Sequence, residues 1–184
     1  VAYCQELEEV LLWGNVIESL PDTLKELPKL KCLAINYRSF CSIVDSYMEG
    51  LLRKGQIQSE HIPPVIFEMP NLDLLDLQET RINALPDTCV GKLKEFYLAK
   101  NFFQTMPKVI MTLESLRVLD MSSNMISSLP NSIGKLVNLE ILLLNNNEIF
   151  ELPSNIDSIT GLKELVLFTN ELRTLPEGIG KLGQ

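Results

Sequence analysis

The sequence predicts an α/β solenoid, with a curved parallel β-sheet on the concave side and loops with 3₁₀ or other short helices on the convex side. Three observations predict it. A segment of 23 residues recurs along most of the 184-residue chain. Each copy alternates apolar and polar residues over a few positions, which is typical of a short strand with one buried side. Most copies then carry a Leu-Pro or Met-Pro pair, where proline cannot donate a ladder bond.

The repeat is a frame of spaced leucines whose strand ends at an asparagine. The copies from Leu116 and Leu139 read "LRVLDMSSNMISSLPNSIGKLVN" and "LEILLLNNNEIFELPSNIDSITG". Seven copies of the frame begin at Leu7, Leu30, Leu72, Leu93, Leu116, Leu139 and Leu162. Because a single copy cannot bury its own leucines, successive copies must stack and pair their strands in parallel.

This frame, L-x-x-L-x-L-x-x-N-x-I-x-x-L-P-x-x-I-x-x-L, resembles the signature of the leucine-rich repeat family. The resemblance covers nearly the whole chain, and the Leu-Pro-x-x-Ile half is similar to the intracellular class with 23-residue repeats. It implies a single leucine-rich repeat domain over residues 1–184 with about seven repeats. We also expect a piece of a longer protein, because terminal repeats usually carry a polar cap and the first copy begins at Leu7.

The asparagine of the frame explains why three asparagines follow the most apolar run of the chain. An amide at the point where the chain turns inward can bond backbone groups that the turn leaves unpaired. We predict this buried structural role for Asn15, Asn101, Asn124, Asn147 and Asn170. Asn145 and Asn146 precede Asn147 at exposed positions, where they are available to a partner. Arg38 and Thr80 replace the asparagine in two copies, so those turns should be less regular.

The residues after the strand predict the convex side of each copy. Prolines suit a segment that needs no ladder N–H, and they recur at Pro21, Pro86, Pro107, Pro130, Pro153 and Pro176. Ile133, Ile156 and Ile179 lie four residues after the leucine that precedes the proline, and they should refill the core. Cys89 occupies the same position in the third copy, which favours a small buried apolar role over a reactive one.

One step of the repeat is much longer than the others. From Leu30 to Leu72 it spans 42 residues, which is 19 more than the usual 23 and indicates an insertion at about residues 39–61. Apolar residues recur there with the spacing of a helical stripe, at Ile43, Val44, Tyr47, Met48, Leu51 and Leu52. This helix either packs on the edge of the solenoid or forms a docking element beside the concave face.

Composition and motifs argue against catalysis and against nucleic acid as a partner. A net charge of -8 is unfavourable for binding DNA, RNA or an anionic membrane. The single histidine, His61, excludes multi-histidine metal sites, and no phosphate-binding glycine motif occurs. We therefore expect no enzyme activity, no metal and no cofactor. Scattered cysteines, no glycosylation sequon, no signal-peptide pattern and no membrane-spanning segment favour a cytoplasmic setting.

The outward positions of the strands form the expected partner-binding surface. They mix carboxylates with large apolar side chains, which suits a protein partner with a basic surface beside apolar anchors. We predict partner contacts on this concave face by Trp13, Tyr37, Asp76, Glu79, Glu95, Tyr97, Asp120, Leu143, Asn145 and Phe168. A solvated acidic surface is the alternative for the carboxylates, and Trp13 could instead cover an exposed edge of the stack.

The resemblance implies a protein–protein interaction module in a cytosolic scaffold or receptor. One alternative is the ligand-sensing domain of a plant-type intracellular immune receptor. The stretch "FEMPNLDLLDLQETRINALP" resembles the repeat pattern of those receptors. Another is the substrate-recognition domain of a leucine-rich repeat ubiquitin ligase. The sequence does not choose the partner or the oligomeric state.

Deleting Ser42–Lys54 should leave the repeats folded, because the copies on either side bury their own leucines. We expect the far-UV circular dichroism spectrum to lose only the signal of the inserted helix and the thermal transition to stay cooperative. A truncated chain that fails to fold would show instead that the inserted helix clamps the solenoid.

Overall fold

The computed structural model describes residues 4–15, 20–35, 64–89 and 92–182. The predicted insertion at residues 39–61, its helix, Arg38 and Tyr37 lie outside the described residues. Seven strands of three residues each form one open sheet in the order β1 to β7, and every neighbouring pair is parallel. The strands are β1 (Glu9–Leu11), β2 (Cys32–Ala34), β3 (Leu74–Asp76), β4 (Glu95–Tyr97), β5 (Val118–Asp120), β6 (Ile141–Leu143) and β7 (Glu164–Val166).

The middle residue of each strand points into a single core that runs the length of the stack. Leu119 pairs with Leu142, and Leu142 pairs with Leu165, so the predicted line of leucines is present in register. Leu33, Leu75, Phe96, Leu119 and Leu142 are fully buried in this core. Each such side chain contributes about 2–3 kcal/mol relative to an exposed one. The predicted fold class is therefore confirmed: one strand per repeat, stacked in parallel.

Short 3₁₀ helices return the chain on the other side of the core. They span Asp22–Glu26, Pro64–Glu68, Lys108–Thr112, Asn131–Lys135, Ser154–Ser158 and Glu177–Lys181. Five of the predicted prolines, all except Pro86, lie immediately before one of these helices. There the proline contributes only its carbonyl, as when Pro130 accepts the N–H of Ile133 at 3.0 Å. Residues 87–89, after Pro86, are not helical.

The isoleucines predicted to refill the core do so where another repeat follows. Ile133 and Ile156 are fully buried, whereas Ile179 in the last described helix is half-buried. Cys89 packs against the same core, as its predicted apolar role requires. It is half-buried, however, and not fully buried as predicted.

The strand-ending asparagines bridge each repeat to the one before it. The amide of Asn147 donates to the carbonyls of Leu144 in its own repeat and Met121 in the preceding repeat, both at 3.0 Å. Its Oδ1 accepts the N–H of Ile126, again in the preceding repeat, at 2.9 Å. Asn101 and Asn124 make the same three kinds of bond and are buried like Asn147. The predicted structural role is confirmed for these three.

The prediction is weaker at the two ends of the stack and wrong in one respect. Asn170 makes the same bridge to Ile149 and Leu144 but is only half-buried. Asn15 is exposed rather than buried, and its amide bonds only the carbonyls of Leu12 and Trp13 in its own repeat. The bonds of Asn15 among the described residues therefore stay within its own repeat, whereas those of Asn147 reach the preceding one.

Thr80 replaces the asparagine in the third repeat, and its turn differs as predicted. The Thr80 hydroxyl donates to the carbonyl of Leu77 at 2.6 Å and contacts Oδ1 of Asn101 at 3.1 Å. A hydroxyl has one hydrogen where an amide has two, so it cannot make the whole bridge. Two non-glycine residues of this turn, Glu79 and Arg81, have a positive φ.

The residue before the asparagine position lies in the left-handed region throughout the described turns. These residues are Gly14, Glu79, Lys100, Ser123, Asn146 and Thr169, with φ between 54° and 72°. Asparagine tolerates this conformation better than most residues. The second of the three consecutive asparagines, Asn146, therefore has a conformational reason for its identity in addition to its exposure.

A row of charged side chains crosses the sheet at the N-terminal ends of the strands, one residue before each strand. Its members are Glu8, Lys31, Asp73, Lys94, Arg117, Glu140 and Lys163. Lys94 pairs with Asp73 at 3.0 Å, and Glu140 pairs with Lys163 at 2.6 Å and Arg117 at 3.5 Å. The hydrogen bond from Lys163 lowers the pKa of the Glu140 carboxyl. Because all are solvent-exposed, these pairs add little stability, but opposite charges in adjacent repeats favour in-register stacking.

Replacing Asn147 with alanine should lower the free energy of unfolding by about 2–4 kcal/mol. The change leaves buried backbone groups of two repeats without hydrogen-bond partners. The matched control is Asn145→Ala, the same change two residues away on the exposed side of the strand. It should cost less than about 0.5 kcal/mol in urea unfolding followed by circular dichroism. Equal losses for the two variants would contradict the bridging role of Asn147.

Candidate partner-binding face

The solvent side of the sheet is built from the residues on either side of each buried strand centre. We name this surface the open face, and it corresponds to the side that the sequence predicts to be concave. Its first row is Glu9, Cys32, Leu74, Glu95, Val118, Ile141 and Glu164. Its second row is Leu11, Ala34, Asp76, Tyr97, Asp120, Leu143 and Val166. The turn residues directly after the strands, such as Trp13, Asn145 and Phe168, extend it.

Three predicted carboxylates and a predicted tyrosine meet at the centre of the open face. We call Asp76, Glu95, Tyr97 and Asp120 the acidic cluster. Tyr97 is paired in register with Asp76 on one side and Asp120 on the other. Neighbouring strands lie about 4.8 Å apart, so these three side chains stand next to one another. The Tyr97 hydroxyl donates to Glu95 Oε2 at 2.7 Å.

The environment of Tyr97 keeps its phenol protonated. Burial raises the pKa of Tyr97, and the hydrogen bond to Glu95 and the negative charges of Glu95, Asp120 and Asp76 raise it further. A phenolate here would face carboxylates on three strands. Tyr97 therefore acts as a fixed hydrogen-bond donor that positions the Glu95 carboxylate on the face.

Both aspartates of the acidic cluster also have a local structural role that the sequence analysis missed. Oδ1 of Asp76 accepts the backbone N–H of Gln78, and Oδ1 of Asp120 accepts that of Ser122, each at 2.9 Å. Asp76 is only 8% exposed, so it offers little surface to a partner. Asp120 and Glu95 are half-buried and keep part of their carboxylates at the surface. The signal in the sequence was an aspartate as the last residue of the strand. From there its carboxylate can accept the backbone N–H two residues later, a spacing that favours side chain-to-backbone bonds.

Glu79 forms an ion pair with the lysine of the open face. Nζ of Lys100 lies 2.5 Å from Oε1 of Glu79, on the adjacent repeat. The pair neutralises both charges locally, which leaves Glu95 and Asp120 as the accessible acidic groups of the centre. Glu79 is thus held on the face, as predicted, but with its charge already matched.

Apolar side chains occupy both ends of the open face. At the β1 end, Trp13 is 55% exposed beside the exposed Leu11. At the other end Phe168 is 63% exposed, next to the half-buried Leu143 and Val166. We call Ile141, Leu143, Val166 and Phe168 the apolar patch. Ile141 and Val166 are not among the predicted contact residues, since a β-branched residue in a strand is equally typical of the core.

Asn145 lies on the open face in the same repeat as Ile141 and Leu143 of the apolar patch. It follows β6 directly, is half-buried, and its backbone carbonyl accepts the N–H of Ser123 at 2.9 Å. Its side-chain amide can both donate and accept hydrogen bonds at this surface. Of the ten predicted contact residues, Tyr37 lies outside the described residues. The structure places the other nine on the open face, with Asp76 largely covered.

Cys4, Cys32 and Cys89 are free thiols in the described part of the chain, and the surroundings of Cys32 and Cys89 disfavour the thiolate. Burial raises the pKa of the Cys89 thiol to about 11. Burial, then the charges of Glu9, Asp76 and Glu95, raise the pKa of Cys32. Thiolate is the reactive form, so both are poor nucleophiles at neutral pH. The described residues contain no cluster of three or more His, Cys, Asp or Glu side chains arranged to hold a metal ion. Cys41 and His61 lie outside the described residues.

Comparison with known proteins agrees with the geometry of the stack. Residues 107–184 match a family model described as a leucine-rich repeat region. Residues 107–184 are therefore a leucine-rich repeat region, and the stacked parallel strands give the described residues the fold of that family. The assignment to the intracellular class with 23-residue repeats stays a prediction. No helix among the described residues has the length and apolar character needed to cross a bilayer.

Similar leucine-rich repeat proteins come from distant organisms. The human leucine-rich repeat and IQ domain-containing protein 4 is 32% identical over 59% of this chain and 25% of that protein. A leucine-rich repeat protein of Leptospira interrogans matches 97% of this chain and 48% of its own with a TM-score of 0.67 and 24% identity. The GASSHO1/SCHENGEN3 receptor kinase ectodomain of Arabidopsis thaliana, in complex with CASPARIAN STRIP INTEGRITY FACTOR 2, matches 97% and 26% with a TM-score of 0.59 and 22% identity. The two structures establish the fold alone, and this chain spans under half of each relative.

Tyr97 should stay protonated through the pH range in which exposed tyrosines ionise, near pH 10. Tyr97→Phe should therefore leave the absorbance rise at 295 nm unchanged up to about pH 10.5. Since the folded-state pKa exceeds the unfolded one, the stabilisation from the Glu95 bond persists below about pH 10 and is lost as pH rises further. Loss of a titration step centred near pH 10 in the variant would contradict this assignment.

Proposed function

We propose that this chain is a protein–protein interaction module that binds a partner protein through its open face, within a cytoplasmic scaffold or receptor. One observation carries the proposal: partly exposed carboxylates share a single surface with large apolar side chains, of which Leu11, Trp13 and Phe168 are exposed. Isolated exposed apolar residues are ordinary, but a group of them beside polar residues marks an interaction site. The fold supports the general role, because stacked repeats create extended binding surfaces.

The charge of the open face selects the kind of partner. Glu95 and Asp120 are half-buried carboxylates that reach the open face, while Lys100 is matched by Glu79. Such a surface repels nucleic acid phosphates and attracts Lys or Arg side chains. The proposed partner is therefore a protein with a basic surface.

The cytoplasmic setting is supported by the thiols. Cys4, Cys32 and Cys89 are free in the described part of the chain, and none has formed a disulfide framework. Free cysteines are typical of reducing compartments. We expect no catalytic activity from this chain; in its described part the carboxylates of Asp76 and Asp120 bind turns, and that of Glu79 is held in an ion pair.

Known relatives are compatible with a recognition role without fixing the partner. The similar plant receptor ectodomain was solved in complex with CASPARIAN STRIP INTEGRITY FACTOR 2, and the human relative combines leucine-rich repeats with an IQ domain. Neither partner nor domain transfers to this chain. Their value is that proteins of this fold bind other polypeptides.

Reversing the charge of Glu95 should weaken capture of the natural partner by about tenfold or more, because it places a cation where the partner's cation binds. Tagged wild-type and Glu95→Lys chains are used to capture proteins from a lysate of the source, and the captured proteins are quantified by mass spectrometry.

The matched control is Glu114→Lys, which makes the same charge change at an exposed residue off the open face, between the helix Lys108–Thr112 and β5. It should leave capture unchanged. Equal capture by wild type and Glu95→Lys, or equal loss in both variants, would reject the open face as the binding surface.

A further inference from the structure

We infer that the open face reads an extended segment of its partner that carries an arginine and a large apolar side chain four residues apart. This inference rests on the proposed function and makes its partner specific. It uses the positions of the acidic cluster and the apolar patch relative to each other, which the strand register fixes.

The spacing follows from the sheet. The acidic cluster is centred on β4, and the apolar patch lies on β6 and β7. Their centres are two to three strands apart, which is about 12 Å at about 4.8 Å per strand. An extended chain advances about 3.3 Å per residue, so about four residues span the gap. An even number also keeps both side chains on the same side of the segment, because an extended chain alternates every residue.

The cation site favours arginine over lysine. Tyr97 presents a half-buried ring held by its bond to Glu95, and Asp120 stands beside it in the next strand. A planar guanidinium can stack on an aromatic ring while donating to carboxylates at its edge. Asp120 uses Oδ1 for the N–H of Ser122, which leaves Oδ2 for such a donor.

The apolar site is the larger of the two. Phe168 stands well out of the face, and the half-buried Leu143 and Val166 form the floor beside it. A leucine, phenylalanine or methionine of the partner would cover these side chains and remove them from water. Asn145, in the same repeat as Leu143, offers a donor and an acceptor to the backbone of the segment beside the apolar anchor.

Charge complementarity identifies the occupant. A second copy of this chain would bring carboxylates to face carboxylates, since the chain has a net charge of -8. A purely apolar ligand would leave Glu95 and Asp120 to lose water without a counter-charge. A segment with one cation and one apolar anchor satisfies both parts of the face.

The test selects a displayed library of random twelve-residue peptides on the immobilised chain, in parallel with two altered chains. Glu95→Gln with Asp120→Asn removes both charges while keeping the acceptors for Tyr97 and Ser122. Leu143→Ser with Phe168→Ser removes the apolar site. The control, Glu114→Gln with Val137→Ser, makes equivalent changes at exposed residues off the open face.

The wild type and the control should both enrich peptides with arginine and a large apolar residue four apart, in either order. The charge-neutral chain should lose only the arginine preference, and the Leu143→Ser, Phe168→Ser chain only the apolar preference. A representative peptide carrying a fluorescent label, measured by fluorescence anisotropy, should bind each altered chain about tenfold or more weakly than wild type.

Failure of this inference is distinguishable from failure of the proposed function. Peptides with another spacing or none, or no enrichment, overturn the segment proposal. If Glu95→Lys still loses the natural partner, the open face binds a folded surface instead and the proposed function stands. If selected peptides bind all chains equally and Glu95→Lys captures the partner normally, both fail.

Discussion

The bridging amide of the strand-ending asparagine is the interaction on which the rest of this structure depends. It donates to a carbonyl of its own repeat and a carbonyl of the preceding one, and accepts an N–H from the preceding repeat, as Asn124 does with Leu98 and Phe103. Each turn is therefore satisfied only when its neighbour is in place. Buried backbone groups without partners are costly, so the amides make adjacent repeats fold together and fix their register.

Because of this arrangement, the residues of the open face are not needed to stabilise the fold. Leucines fill the core and asparagines satisfy the turns, so the residues flanking each strand centre can vary at little cost to the fold. The face accordingly differs from repeat to repeat: Leu11 in the first, Tyr97 in the fourth, Val166 in the seventh. Asp76 and Asp120 are exceptions, because their carboxylates also bind the backbone of their own turns.

The sequence predicts the stack and most of the face, because a fixed period assigns every residue a place in the repeat. The burial of Asn147 and the alignment of Leu119, Leu142 and Leu165 follow from that period and are present. The period does not predict hydrogen bonds between residues of the same repeat that lie two positions apart. The bond from Tyr97 to Glu95 and the turn bond of Asp76 both run between positions two apart. A period also assigns every asparagine of the frame the same contacts, so it cannot show that Asn15 bonds only its own repeat.

A parallel stack turns the order of repeats along the chain into a spatial order across the sheet. Tyr97, Asp120, Leu143 and Val166 stand on four successive strands of the second row, each about 4.8 Å from the next. An acidic position thus lies at a fixed distance from an apolar one, with no loop between them to adjust it. Recognition on such a face depends on the spacing of the partner's groups as much as on their chemistry. A partner with the right residues at the wrong spacing must leave either a carboxylate or an apolar side chain uncovered, and this difference is what gives the face its selectivity.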